Sequence, residues 1–80
     1  MDTIEAVRRR LISLCRERRI TIHGLARISA VPPTTVRSIV NGESKNPGIV
    51  TIKKLCDGMD LPLVEFFDCE LFQQLDQEIR

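Results

Sequence analysis

Two adjacent prolines, Pro32 and Pro33, place the strongest constraint on this chain. Pro32 cannot lie inside a helix, because it has no N–H to donate and its ring collides with the preceding turn. Pro33 suits the first position of a new helix, where that donor would have no partner anyway. The chain therefore breaks at Ala30-Val31-Pro32-Pro33. Upstream, Thr21 reads as the N-cap of a short helix carrying Leu25, Ala26 and Ile28. Downstream, Val36 and Ile39 point inward until Asn41-Gly42 stops the helix after Val40, since both residues tolerate the left-handed conformation. Two short helices joined by a four-residue interruption, in a helical globule with one basic face, suggest helix-turn-helix geometry.

The flanking segments read as further helices. Val7, Leu11, Leu14 and Cys15 recur at the spacing of one helix face, with Asp2 or Thr3 as cap and an end near Arg19. Residues 43–48 form a loop. A fourth helix carries Ile49 or Val50, Ile52, Leu55, Cys56 and Met59 before Asp60-Leu61-Pro62 breaks it. Pro62 opens a fifth bearing Leu63, Phe66 and Phe67, and from there Leu71, Phe72, Leu75 and Ile79 keep helical spacing to the end. No β-alternation is long enough for a strand. The expected fold is all-α, a compact five-helix bundle with an extended C-terminal helix. It forms a single domain over residues 1–80, with its core in 4–67 and a helical extension in 68–80.

Eighty residues suffice for one hydrophobic core and exclude barrels and dinucleotide-binding sheets. Hydrophobic residues make up 42% and charged residues 29%, the balance of an ordinary globule. No apolar run could span a bilayer, and Met1-Asp2-Thr3 leads into an arginine-rich stretch without a signal-peptide core. The expectation is a cytoplasmic protein with no membrane partner. Cys15, Cys56 and Cys69 are widely spaced, no C-x-x-C pair occurs, and His23 is the lone histidine. Neither a metal site, a disulfide nor a cofactor is expected. No Ser/His/Asp set, carboxylate pair or glycine-rich phosphate loop can be assembled, so no enzyme is expected either. Nor is there room for a separate effector domain, which argues against a small-molecule ligand.

Net charge is +1, but the two halves differ. Residues 1–45 carry +5, with nine Lys/Arg against four acids, whereas residues 46–80 carry −4. Such asymmetry is a hint of a polyanion-facing half, although a solvated surface with chance clustering would look the same.

The residues from Ile20-Thr21 through Leu25-Ala26, Val31-Pro32-Pro33-Thr34-Thr35-Val36, Ile39-Val40-Asn41-Gly42 and Lys45-Asn46-Pro47 resemble the phage-repressor helix-turn-helix, the Cro-like or XRE family. The resemblance extends from about Val7 to Phe67 and implies a lambda-repressor-like fold. It implies a sequence-specific DNA-binding transcriptional regulator whose third helix enters the major groove of double-stranded DNA. Carried over by position, Pro33, Thr34, Thr35, Arg37 and Ser38 line the base-reading face. Arg37 is the one long donor fork there, suited to guanine or phosphate. The threonines read equally well as N-terminal caps. Thr21, Asn41, Lys45 and Asn46 match positions that touch the sugar-phosphate backbone, with a helix C-cap as the rival role for Asn41.

The chain departs from the family pattern at several positions. Ile22 stands where a phosphate-clamping glutamine is usual, Ala30 replaces the turn glycine, Gly24 lies in the second helix, and Pro33 occupies a position that often reads a base. These departures keep open an alternative: a protein-interaction module, antitoxin-like or an adaptor, with little operator affinity. Dimerisation is assigned to the stripe Leu71, Leu75 and Ile79 with Phe72 on its flank, giving a homodimer on a two-fold operator. The same stripe would also serve to fold back on its own core.

Overall fold

The computed structural model of the protein describes residues 1–79. It contains α1 (Thr3–Arg18), α2 (Ile22–Ser29), α3 (Pro33–Val40), α4 (Ile49–Gly58), α5 (Leu63–Phe67) and a short 3₁₀ turn, Glu70–Gln73, with no strand among the described residues. The first two helices start on polar caps. Asp2 accepts a hydrogen bond from the Glu5 amide at 3.0 Å, and the Thr21 hydroxyl accepts one from the Gly24 amide at 2.9 Å. Gly24 therefore sits in the first turn, where the cap satisfies its donor and the loss of helix propensity matters least. Helices α3 and α5 instead start directly after Pro32 and Pro62.

Three helices end in the same way, and none of them uses glycine. Arg19, Ala30 and Asp60 adopt left-handed backbone conformations, with φ of 55°, 55° and 53°. In each case the next residue returns its amide to a carbonyl five back: Ile20 to Cys15, Val31 to Ala26 and Leu61 to Cys56. This is the Schellman arrangement, and it turns an apolar side chain back onto the helix it has just left. Val31 and Leu61 are buried as a result, and Ile20 packs against the core edge. Turn residues thus extend the core that the helix stripes build.

That core joins Leu11, Leu14, Leu25, Val36, Ile39, Ile52, Leu55, Cys56, Met59 and Phe66 in one cluster. Packing pairs α2 with α3 and α4, α1 with α3, and α4 with α5. Ile28, and either alternative at the start of α4, were expected to face the core and do not. Ile28 is half-exposed and Ile49 and Val50 are more so, while Ser29, not Ile28, fills the space between α2 and α4.

The extended C-terminal helix does not form. Asp68 leaves helical geometry at φ −87° and ψ 73°, and beyond the 3₁₀ turn residues 75–79 are irregular. Arg80, the last residue of the expected extension, lies outside the described residues. The cause is a competition. An isolated helix of about 12 residues is marginal in water, whereas a chain that bends brings Phe72 against two other rings. Phe72 lies 5.0 Å from Phe67 and 6.1 Å from Phe66, centroid to centroid. The tail then runs back to the start of the chain. The Asp76 amide donates to the Met1 carbonyl at 2.9 Å, the N-terminal ammonium meets the Asp76 carboxylate at 3.2 Å, and the Thr3 amide donates to the Glu78 carboxylate at 3.0 Å. Leu71, Leu75 and Ile79 consequently share no helix face.

Candidate nucleic-acid interface

Helices α2 and α3 are separated by Ala30, Val31 and Pro32, with Pro33 already the first residue of α3. Buried Val31 pins this turn from below, so the two helices hold a defined relative position. On α3, Val36 and Ile39 are buried, and Pro33, Thr34 and Arg37 are exposed on the opposite side. Thr35 and Ser38 are half-buried at its margin. No side-chain cap hydrogen bond is made at the N-terminus of α3 among the described residues. The Ser38 carbonyl accepts the amides of Glu43 and Ser44, tying the following loop to the helix.

Asn41 is the C-cap of α3 and is exposed, so its side chain is available for another contact. The left-handed turn falls on Gly42, at φ 79°. Lys45 and Asn46 are exposed on the loop beyond it. The backbone of Thr21 supports α2, its hydroxyl is engaged in the cap, and its residue as a whole stays exposed.

Charge is distributed quite differently from what the count of arginines suggested. Arg8 and Arg9 pair with Glu5, at 3.1 and 2.7 Å. The hydrogen bond from Arg9 leads the effects that hold the Glu5 carboxyl below its usual range; desolvation opposes it, and Arg8 adds a further lowering. Arg10 donates to the carbonyls of Phe66 and Glu65, both at 2.8 Å, closing the C-terminus of α5. Arg18 donates to the Met59 carbonyl at 2.7 Å and does the same for α4. Arg10 and Arg18 are thus committed to helix ends, whereas Arg8 and Arg9 share one surface carboxylate. Arg27, Arg37 and Lys45 make no ion pair among the described residues. Neither α2 nor α3 contains an acidic residue.

A profile of the Cro/C1-type HTH DNA-binding domain matches residues 10–71. The chain belongs to this family. Comparison with curated proteins and with solved structures gives no significant match. The match spans the helix-turn-helix and all five helices apart from the first turns of α1. In this Cro/C1-type domain, Ile22 packs against the core edge, where a phosphate-clamping side chain would have to point outward.

Two residues within the Cro/C1-type helix-turn-helix were given no part in the DNA-facing site from sequence. Arg27 and His23 line, with Thr21, Gly24, Val31 and Pro33, a surface groove of about 430 Å³ where the starts of α2 and α3 meet. Helical spacing alone would have placed His23 and Arg27 four apart on one face of α2, but nothing local connects that face to α3. Among the described residues no cluster of three or more His, Cys, Asp or Glu side chains comes together, and no helix is long and apolar enough to cross a membrane.

Proposed function

We propose that this domain is a sequence-specific transcriptional regulator, acting in the cytoplasm as a homodimer on a two-fold operator, with α3 in the major groove. The observation that carries the reading is the acid-free helix-turn-helix: sixteen residues of α2 and α3 hold Arg27, Arg37 and His23 and no carboxylate. A polyanion can approach such a surface without like-charge repulsion. Pro33, Thr34, Thr35, Arg37 and Ser38 read bases in this scheme, and Thr21, Asn41, Lys45 and Asn46 hold the backbone on either side.

Two-fold sites place recognition helices about 34 Å apart, so the dimer interface sets half-site spacing. Of Leu71, Phe72, Leu75 and Ile79, Phe72 packs on its own core and only Ile79 is strongly exposed. The proposed dimer therefore does not rest on a helix pairing in the tail.

Selection of bound sites from a random duplex DNA library tests the reading. An enriched palindrome supports it and reports the half-site spacing; an enriched single half-site retains DNA reading and removes the dimer. Failure to enrich any sequence would favour a protein-interaction module, antitoxin-like or an adaptor, the reading that Ile22 and the acidic tail support.

A further inference from the structure

The Arg37 guanidinium lies 3.3 Å from Nε2 of His23. The two side chains come from different helices, α3 and α2, and both residues are exposed. Arginine has donors only, so a hydrogen bond between the two requires Nε2 to accept, the role open to the tautomer that carries its proton on Nδ1. No carboxylate competes for Arg37 among the described residues. A long side chain with many rotamers is thus tied at one nitrogen while its other N–H groups stay free. A carboxylate in this position would hold the guanidinium more strongly but would repel DNA. An imidazole nitrogen can accept from it without adding negative charge.

We propose that His23 is a positioning residue for DNA reading: it orients the Arg37 guanidinium on the outer face of α3, so that the remaining donors meet the O6/N7 edge of a guanine. This rests on α3 being the base-reading helix. Bidentate contact depends on the orientation of a planar fork, which is what a single hydrogen bond at one corner restricts. Removing the acceptor leaves Arg37 able to reach phosphates but poorer at discriminating bases. The effect falls on base preference more than on total affinity.

A double-mutant cycle on the site enriched from random DNA tests the proposal, with every base pair substituted in turn. His23→Ala is expected to lower discrimination at the guanine position by about 3- to 10-fold, the range of one net hydrogen bond. In an Arg37→Ala background the same change should have no further effect. His23→Gln, whose Oε1 can accept, should restore most of the discrimination, and His23→Lys, which cannot accept, should not. Thermal midpoints of all variants should match the parent, because both side chains are exposed. If Arg37→Ala abolishes the preference while His23→Ala leaves it intact, or if His23→Ala acts equally in both backgrounds, His23 does not position Arg37 and base reading by α3 survives. If the unmodified protein prefers no sequence, base reading itself falls and the proposal with it.

Discussion

A methyl group on Gly58 would lie 2.1 Å from the hydroxyl oxygen of Ser29, and 3.1 Å from its Cα and Cβ. The C-terminal ends of α2 and α4 approach so closely that only hydrogen fits between them. Ser29 is itself buried, and its hydroxyl has no hydrogen-bond partner among the described residues. Gly58→Ala is therefore expected to destabilise by about 1–3 kcal/mol, although alanine favours a helix by about 1 kcal/mol. Ser29→Ala should be neutral or stabilising, since it removes an unpaired polar atom. Urea midpoints for the two variants check both; a stable Gly58→Ala would mean that α2 and α4 slide apart freely.

Ala30 carries a left-handed backbone at φ 55°, where the family uses glycine. That conformation costs an ordinary residue roughly 1–2 kcal/mol. Glycine would remove the cost but lose about 0.4–1 kcal/mol through the greater freedom of the unfolded chain. Ala30→Gly should leave stability unchanged or raise it by up to about 1.5 kcal/mol. A lowered urea midpoint would show that the turn is relaxed with alanine.

Arg37 and Lys45 should fail in different ways when removed. Arg37→Ala is expected to cost about 1–3 kcal/mol on the best site and to relax base preference. Lys45→Ala should weaken all sequences alike and reduce the salt slope by about one. Arg10→Ala serves as the contrast, because its guanidinium is bound to α5 carbonyls and it should lower stability without changing the salt slope. Equal, sequence-independent losses from Arg37→Ala and Lys45→Ala would remove base reading from Arg37.

Truncation after Asp68 tests the tail. It removes Phe72 from the Phe66–Phe67 cluster and frees Met1 from Asp76. The expected loss is about 1–3 kcal/mol, most of it reproduced by Phe72→Ala. An unchanged urea midpoint would place the tail outside the core. Sedimentation of the truncated chain reports, in the same samples, whether these residues take part in a dimer.

Burial raises the pKa of the Cys15 and Cys56 thiols above the usual range, at Cys56 with a smaller contribution from the Asp57 carboxylate. Folding thus favours the protonated thiols. Their contribution to stability is fully present below the ordinary thiol pKa and is lost as pH rises through the raised folded value. Labelling with a thiol reagent at pH 8 should modify half-buried Cys69 first, with Cys15 and Cys56 reacting only on unfolding. Rapid labelling of all three in the native protein would contradict their burial.

Where α1 to α4 begin and end was legible in the sequence, because the signals act within a single turn. Asp2, Thr21, Pro33 and Gly42 do in the fold what their chemistry allows locally. The buried faces of α1 and α3 followed from spacing for the same reason. Spacing could not distinguish Ile28 from Ser29, since the choice depends on how closely α4 approaches. It could not reveal the left-handed caps at Arg19, Ala30 and Asp60 either, because no glycine marks them and their strain is offset by burying the residue that follows.

The sequence by itself determined an all-helical chain with a helix-turn-helix between Thr21 and Val40, because proline geometry, capping and helical period are local properties. Only the tertiary structure decided which arginines face outward, since Arg10 and Arg18 are consumed by carbonyls 56 and 41 residues away. It alone decided the tail, where aromatic contact and the charged N-terminus outweighed a marginal helix. It alone brought His23 to Arg37 across two helices. Each of these outcomes depends on distances between segments far apart in the chain, and a one-dimensional pattern holds no such distances.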